Sequence, residues 1–146
     1  MKKLTIGLGL LLSLNAFATS CPDLEGTYTC QKGSHVSVKE IARTADGYII
    51  VSDGMEYEYR VDGNTYEVPS TDSMTDGKVK ASCRDNKFVV DFNASILYDG
   101  TIIAKQVSKT EYSKKGDNLI FAQKIKMKGL PLPALNFECI RNTILN

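Results

Sequence analysis

Residue types that build catalytic and metal sites are scarce in this chain. Its 146 residues contain no tryptophan, and His35 is the one histidine. Most two-histidine metal sites and acid–base schemes are therefore excluded. The paired carboxylates Glu56 and Glu58 lie two residues apart on one face of a predicted strand, which is typical of ordinary surface. We expect no catalytic residues, no metal and no cofactor, so the chain is predicted not to be an enzyme.

A dominant charge of either sign is also lacking. Eighteen lysines and arginines stand against 17 aspartates and glutamates, for a formal net charge of +1. A near-neutral chain without a basic half carries no electrostatic signature of nucleic-acid binding and no polybasic signal for an anionic membrane. The lysines at positions 124, 126 and 128 alternate along a predicted strand and indicate a solvated face. We expect no nucleic-acid partner.

The N-terminal residues carry the one long apolar run. Lys2 and Lys3 precede an uncharged segment from Leu4 to Leu14, and Ala16-Phe17-Ala18 supplies small residues for a signal peptidase. The run is shorter than the roughly 20 residues of a membrane span. We predict a cleaved signal peptide over 1–18, one domain over 19–146 and a periplasmic or secreted bacterial protein. In the less favoured alternative Cys21 is acylated as a lipoprotein anchor.

The four cysteines form no C-x-x-C pair, and their spacings fit no zinc finger or ribbon. An even count in an exported chain predicts two disulfides instead. Three pairings are possible. Joining the first predicted strand to the last restrains the unfolded chain most, by about 4 kcal/mol for a hundred-residue loop, and is slightly favoured. The residues concerned are Cys21, Cys30, Cys83 and Cys139.

Most segments of the remaining chain alternate apolar and polar residues with a period of two. Met55 to Val61 and Phe88 to Ile96 are the clearest examples. This pattern predicts antiparallel strands with one buried face. The predicted strands are 26–32, 35–43, 47–52, 55–61, 64–68, 78–84, 87–97, 101–113, 118–128 and 135–141.

Asp-Gly and Asn-rich pairs separate these strands, as expected for tight hairpin turns. The fold class is therefore all-β, an antiparallel up-and-down meander of about 8–10 strands. Closing the meander into a calycin-like barrel removes its two edges, and a β-sandwich is the alternative. Only 69–77 and 129–134 are predicted to be loops longer than a turn.

The stretch Leu24-Glu25-Gly26-Thr27-Tyr28 resembles the start of the first strand in lipocalins and fatty-acid-binding proteins. In those barrels a glycine, any residue and an aromatic close one end, and Tyr28 stands where the family usually places tryptophan. The resemblance implies a calycin-like barrel that holds one small apolar ligand.

A second stretch, from Tyr28 to Val38, resembles the opening of the bacterial periplasmic inhibitors of animal-type lysozyme. Those small barrels carry a tyrosine-x-cysteine step followed by a glycine turn, here Tyr28-Thr29-Cys30 and Gly33. The resemblance implies an envelope protein partner and a Cys30–Cys139 disulfide. Their serine-glycine-x-x-tyrosine loop is absent, so no inhibitory residue is transferred.

The barrel interpretation turns aromatic side chains inward, where they either pack as a core or surround a ligand. In the Pro-rich segment 129–134 and just after it, three leucines either cover one end of the barrel or form a ligand portal or contact patch. The candidate ligand-binding residues are Tyr28, Tyr57, Tyr59, Phe92, Phe121, Leu130 and Leu132. A small apolar ligand or an envelope protein is the expected partner.

Overall fold

A computed structural model describes residues 21–143, and every regular element in that range is a β-strand. The predicted signal peptide lies outside the described residues. None of the residues 21–143 forms a helix long and apolar enough to cross a membrane. The strands are β1 (Gly26–Lys32), β2 (His35–Arg43), β3 (Gly47–Ser52), β4 (Met55–Arg60), β5 (Tyr66–Val68), β6 (Met74–Arg84), β7 (Lys87–Tyr98), β8 (Thr101–Lys115), β9 (Asn118–Met127), β10 (Leu130–Pro131) and β11 (Leu135–Arg141).

Hairpin turns form at most of the predicted Asp-Gly and Asp-Asn pairs. Asp62-Gly63 instead connects two strands that do not pair, and Asp76-Gly77 lies inside β6 at a register shift. Asp53, Asp85, Asn86 and Asp99 all adopt positive φ angles, which aspartate and asparagine tolerate better than most residues. At Gly47 a side chain is excluded by a close approach. An added Cβ would lie 1.9 Å from the Tyr59 carbonyl oxygen across the β3–β4 pair. The alternating pattern and these turns together account for the meander.

All neighbouring strands pair antiparallel in one strongly curled sheet, a half-barrel that confirms the predicted all-β meander. The strand order is β4-β3-β2-β1-β11-β9-β8-β7-β6-β5, with β10 beside β9. Each pairing joins strands that are consecutive in the chain, apart from β9–β11, which passes over the short β10, and β1–β11, which joins the first strand to the last. The two edges of the sheet are β4 and β5. They are consecutive in the chain, so the sheet opens between them.

One end of the half-barrel is closed by the segment 21–25. Leu24 is fully buried, and the Tyr28 hydroxyl donates a hydrogen bond to the Leu24 carbonyl at 2.9 Å. The Tyr48 hydroxyl donates to the Pro22 carbonyl. Tyr28 therefore lies at the closed end, where the lipocalin resemblance implied an aromatic residue.

The cysteines form the two bridges that loop length favoured. Cys30 is bonded to Cys139, and Cys21 to Cys83, so no cysteine in the described range is free. The first bridge joins β1 to β11, and the second ties the closing segment to β6. Two disulfides indicate an oxidising compartment.

An aromatic cluster fills the interior next to the closed end. Phe88 is completely buried, with its ring centroid 4.5 Å from that of Tyr48, 5.6 Å from Tyr112 and 5.8 Å from Tyr59. The cluster continues through Phe121 toward β11. Side chains at alternate positions of six strands meet here, as the period-two pattern predicted.

Two segments predicted to be loops are partly strands. β6 begins at Met74 rather than at 78, because Met74 and Thr75 pair with the end of β7 before a register shift. Leu130 and Pro131 form β10 against the end of β9. Proline is tolerated there because β10 is a short peripheral strand, where a missing donor costs little. Leu130 and Leu132 are exposed and do not cover the end of the barrel.

Candidate functional site

The concave face of the sheet surrounds a cavity of about 710 Å³. Six strands, β4 to β9, contribute to it. β6, β7 and β8 do so through residues two apart, because successive side chains of a strand point to opposite faces. The edge strands β4 and β5 contribute consecutive residues instead. The lining comprises residues 56–60 of β4, residues 66–69, Val79, Ala81, Val90, Phe92, Gln106, Ser108, Thr110 and Gln123.

The walls of this cavity differ in chemistry. Val79, Ala81, Val90 and Phe92 of β6 and β7 form an apolar wall. The neighbouring strands β8 and β9 provide hydroxyl and amide groups instead. The amide of Gln123 donates to the Thr110 hydroxyl at 3.3 Å, directly across the β8–β9 pair. An apolar molecule that carries a hydrogen-bonding group matches this combination.

The cavity opens through the gap between β4 and β5. Tyr57 lies on the concave side of β4 beside this gap and is 41% exposed, because no strand pairs with that edge. On the outward side of the same strand, Arg60 lies 3.3 Å from Glu58 and 3.8 Å from Asp46. These exposed ion pairs contribute little to stability, but they border the opening with charged groups.

Tyr59 separates the cavity from the aromatic cluster. Its ring lies 6.3 Å from the stacked ring of Tyr57 on one side and 5.8 Å from Phe88 on the other. Burial raises the pKa of Tyr59 to about 12 and also raises the pKa of Tyr112. Both phenols are therefore neutral hydrogen-bonding groups at neutral pH.

Lys39 is a buried cation that the sequence analysis did not single out. It lies on the concave face of β2 with 8% exposure, and its Nζ is 2.9 Å from the Ser52 hydroxyl and 4.7 Å from the centroid of the Phe121 ring. Burial lowers its pKa, and the charge of Asp53 offsets part of that effect. The alternating pattern of β2 does indicate this inward position, because Lys39 lies two residues from the apolar Ile41 and therefore on the same strand face.

The structure divides the seven candidate ligand-binding residues into two groups. Tyr57, Tyr59 and Phe92 line the cavity. The remaining four lie elsewhere: Tyr28 at the closed end, Phe121 below Lys39, and Leu130 and Leu132 exposed in or beside β10. The polar residues Gln106, Ser108, Thr110 and Gln123 were missed, since polar side chains in alternating strands predict a solvated face.

Within residues 21–143 the side chains that usually bind metal ions do not cluster. No group of three or more histidine, cysteine, aspartate or glutamate side chains in that range is placed to hold an ion. His35 is exposed at the start of β2.

No protein-family model, curated protein or solved structure matches the chain. The resemblances to lipocalins and to lysozyme inhibitors therefore rest on the short stretches that carry them.

Proposed function

We propose that this protein is an exported carrier that binds one small apolar ligand in the cavity of its half-barrel. The observation that carries the proposal is the 710 Å³ cavity with an apolar wall and a polar one. Its volume falls within the roughly 300–1,000 Å³ of small-molecule sites in proteins. The opening between β4 and β5 offers a route for the ligand that breaks no strand pair.

The walls define the chemistry of this ligand. Phe92, Val79 and the rings of Tyr57 and Tyr59 contact its apolar body, while Ser108, Thr110 and Gln123 hydrogen-bond to a polar group. The two disulfides support an exported location for the carrier. Oxidising conditions and the predicted signal peptide support a bacterial periplasm or the extracellular medium.

The absence of tryptophan makes a direct test possible. Tyr57→Trp introduces a single indole at the cavity opening, and Ile140→Trp introduces one at an exposed site of β11 outside the cavity. On titration with the neutral apolar probe N-phenyl-1-naphthylamine, we expect saturable energy transfer from the indole of the first variant and little from the second. Equal transfer in both, or none in either, would contradict a binding cavity.

A cavity-filling variant completes the test. Val79→Trp places a bulky indole ring among the lining residues, whereas Val107→Trp places one on the exposed outer face of β8. We expect the first to weaken probe binding by about tenfold or more and the second to leave it unchanged, since binding needs the volume. Native mass spectrometry of protein purified from its own host would then report the mass of the natural ligand.

A protein–protein module, such as an inhibitor of a lytic hydrolase, is the second candidate. The observation that favours it is the exposed pair Leu130 and Leu132 in the segment between β9 and β11. Inhibition of a purified lysozyme at stoichiometric concentration, lost on Leu130→Ser/Leu132→Ser with probe binding intact, would support this function over the carrier.

A further inference from the structure

The end of the half-barrel opposite the closing segment carries an unusual number of exposed apolar side chains. The turns at this open end lie at 33–34, 53–54, 69–73, 99–100 and 128–129. Most of the exposed large apolar residues within 21–143 lie beside these turns: Val36, Met55, Tyr98, Ile102, Ile103, Leu130 and Leu132. The turns of the closed end, at 44–46, 61–65, 85–86 and 116–117, carry none of them.

The longest projections are the β7–β8 hairpin and the β9–β10 turn. Tyr98 is 73% exposed and Leu130 is 70% exposed. A register shift after Ile96 makes Ile103 an extra residue in β8, and both Ile102 and Ile103 are exposed. The Lys128 amide donates to the Lys105 carbonyl at 3.1 Å, so the two projections lie side by side. Together they form one apolar rim.

Lysines lie next to this rim. Lys105 and Lys128 are joined by the backbone hydrogen bond, and Lys126 faces Val107 across β8 and β9. All three are exposed, and within residues 21–143 none of them forms an ion pair. Farther along the wall the exposed Lys124 lies opposite Lys109, whose charge is paired with Glu111 at 2.7 Å. Asp99, in the β7–β8 turn, is the acidic residue at the rim's tip.

We infer that this apolar rim docks on an anionic phospholipid bilayer. The inference is confined to the rim, because the turns at 53–54 and 69–73 contain Asp53 and Asp72. Exposed isoleucine, leucine and tyrosine side chains match the apolar boundary of the acyl chains, and tyrosine favours the interface itself. The lysines beside them match anionic headgroups. The attraction of one lysine to such headgroups raises the affinity for the membrane several-fold. Among the described residues at the rim, the three lysines without an ion pair outnumber the one carboxylate without an ion pair, that of Asp99. This excess of positive charge favours an anionic surface over a protein partner of mixed charge.

Vesicle flotation tests this surface. The probe is phosphatidylcholine vesicles with and without a quarter of phosphatidylglycerol, at low and high salt. We expect the wild type to bind the anionic vesicles, with binding reduced by high salt. Ile102→Ser/Ile103→Ser/Leu130→Ser should weaken it at least about tenfold, and Lys105→Gln/Lys126→Gln/Lys128→Gln should do the same and remove most of the salt dependence.

Two further variants serve as controls. Lys78→Gln/Lys80→Gln/Lys115→Gln removes the same net charge away from the rim and should leave binding unchanged. Asp99→Asn keeps a residue that tolerates the left-handed turn (φ 49°) and should strengthen binding. Circular dichroism and thermal melting verify that each variant is folded. If the apolar variant does not fold, the lysine variant alone tests the inference.

Three results would overturn the inference. One is no binding to anionic vesicles at low salt. Another is equal loss of binding in the rim and control lysine variants, which would indicate only a general effect of charge. The third is capture of a soluble protein through the rim without any vesicle binding. None of these results bears on the cavity, whose probe titration is independent.

Discussion

Cys30 and Cys139 face each other in register across β1 and β11, and their sulfur atoms are bonded. They are 109 residues apart in the chain, and they join the two strands at which its ends meet in the sheet. The covalent bond and the strand pair thus fix the same contact. This contact is the one in the sheet with the highest cost in chain entropy, because every other main pairing joins consecutive strands.

Removal of this bridge should therefore lower stability strongly. For Cys30→Ala/Cys139→Ala we expect the free energy of unfolding to fall by about 3–5 kcal/mol, as loop closure entropy predicts. Cys21→Ala/Cys83→Ala opens a shorter loop of 62 residues and should cost about 0.5 kcal/mol less. Urea denaturation of both variants measures the difference. A much larger loss from the second pair would show that the closing segment matters more than the chain-end contact.

The strands were predictable because local chemistry determines them. Alternation from Met55 to Val61 and the Asp-Gly pairs between strands are read within a few residues, and the predicted order needed only that each strand pairs with the next. The disulfide pattern followed from loop length. These features require no knowledge of distant contacts.

The open edge and the polar wall were not predictable in the same way. β5 has three residues, Tyr66–Val68, and pairs with β6 alone among the described strands. Whether so short a strand also pairs with β4 decides whether the barrel closes, and the local sequence does not determine this. Ser108 and Thr110 alternate with charged residues of β8, so both faces of the strand are polar and the sequence does not indicate which of them points inward. Lys39 faces inward because its neighbours on β2 fix the register, a tertiary effect that overrides the preference of lysine for solvent.

Two phenylalanines of β7 should respond differently to truncation. Phe88 is enclosed by aromatic rings, so Phe88→Ala should lower the free energy of unfolding by about 3–5 kcal/mol. Phe92 borders the cavity and is only partly buried, so Phe92→Ala should cost about 1–2 kcal/mol. Glu56→Ala, on the exposed face of β4, should stay within about 0.5 kcal/mol. Chemical denaturation of the three variants would refute the side-chain register if the losses were equal.

Glu111 should make folding sensitive to acid. Its carboxylate lies 2.7 Å from Lys109 Nζ and 3.0 Å from Lys87 Nζ, and these hydrogen bonds lower its pKa from 4.5 to about 2. A carboxylate whose pKa is lower in the folded protein stabilises the fold at pH values above its pKa in the unfolded chain. This stabilisation is lost as the pH falls through the pKa of the folded protein. We expect this contribution to be about 1 kcal/mol after solvent screening, and to disappear between about pH 4.5 and 2.

The matched variant for this effect is Glu111→Gln. Its free energy of unfolding should be about 1 kcal/mol below that of the wild type at pH 7 and equal to it near pH 2. Urea denaturation across this range measures the convergence of the two curves. Parallel curves would mean that the carboxylate does not interact favourably with the two lysines in the folded protein.

Lys39 should oppose folding at neutral pH and cease to do so in alkali. Burial lowers its pKa below 10.5, so the unfolded chain binds the proton more tightly, and stability rises with pH up to the unfolded value. Lys39→Met keeps the apolar stem without the charge. Since replacing a buried charge by an apolar side chain of similar size is often stabilising, we expect a gain of about 1 kcal/mol at pH 7 that shrinks toward pH 10.

Comparing the two proteins at each pH cancels the titration of the buried tyrosines, which both share. A variant less stable than the wild type at pH 7 would mean that the contacts of Nζ with Ser52 and the Phe121 ring outweigh the cost of burying the charge.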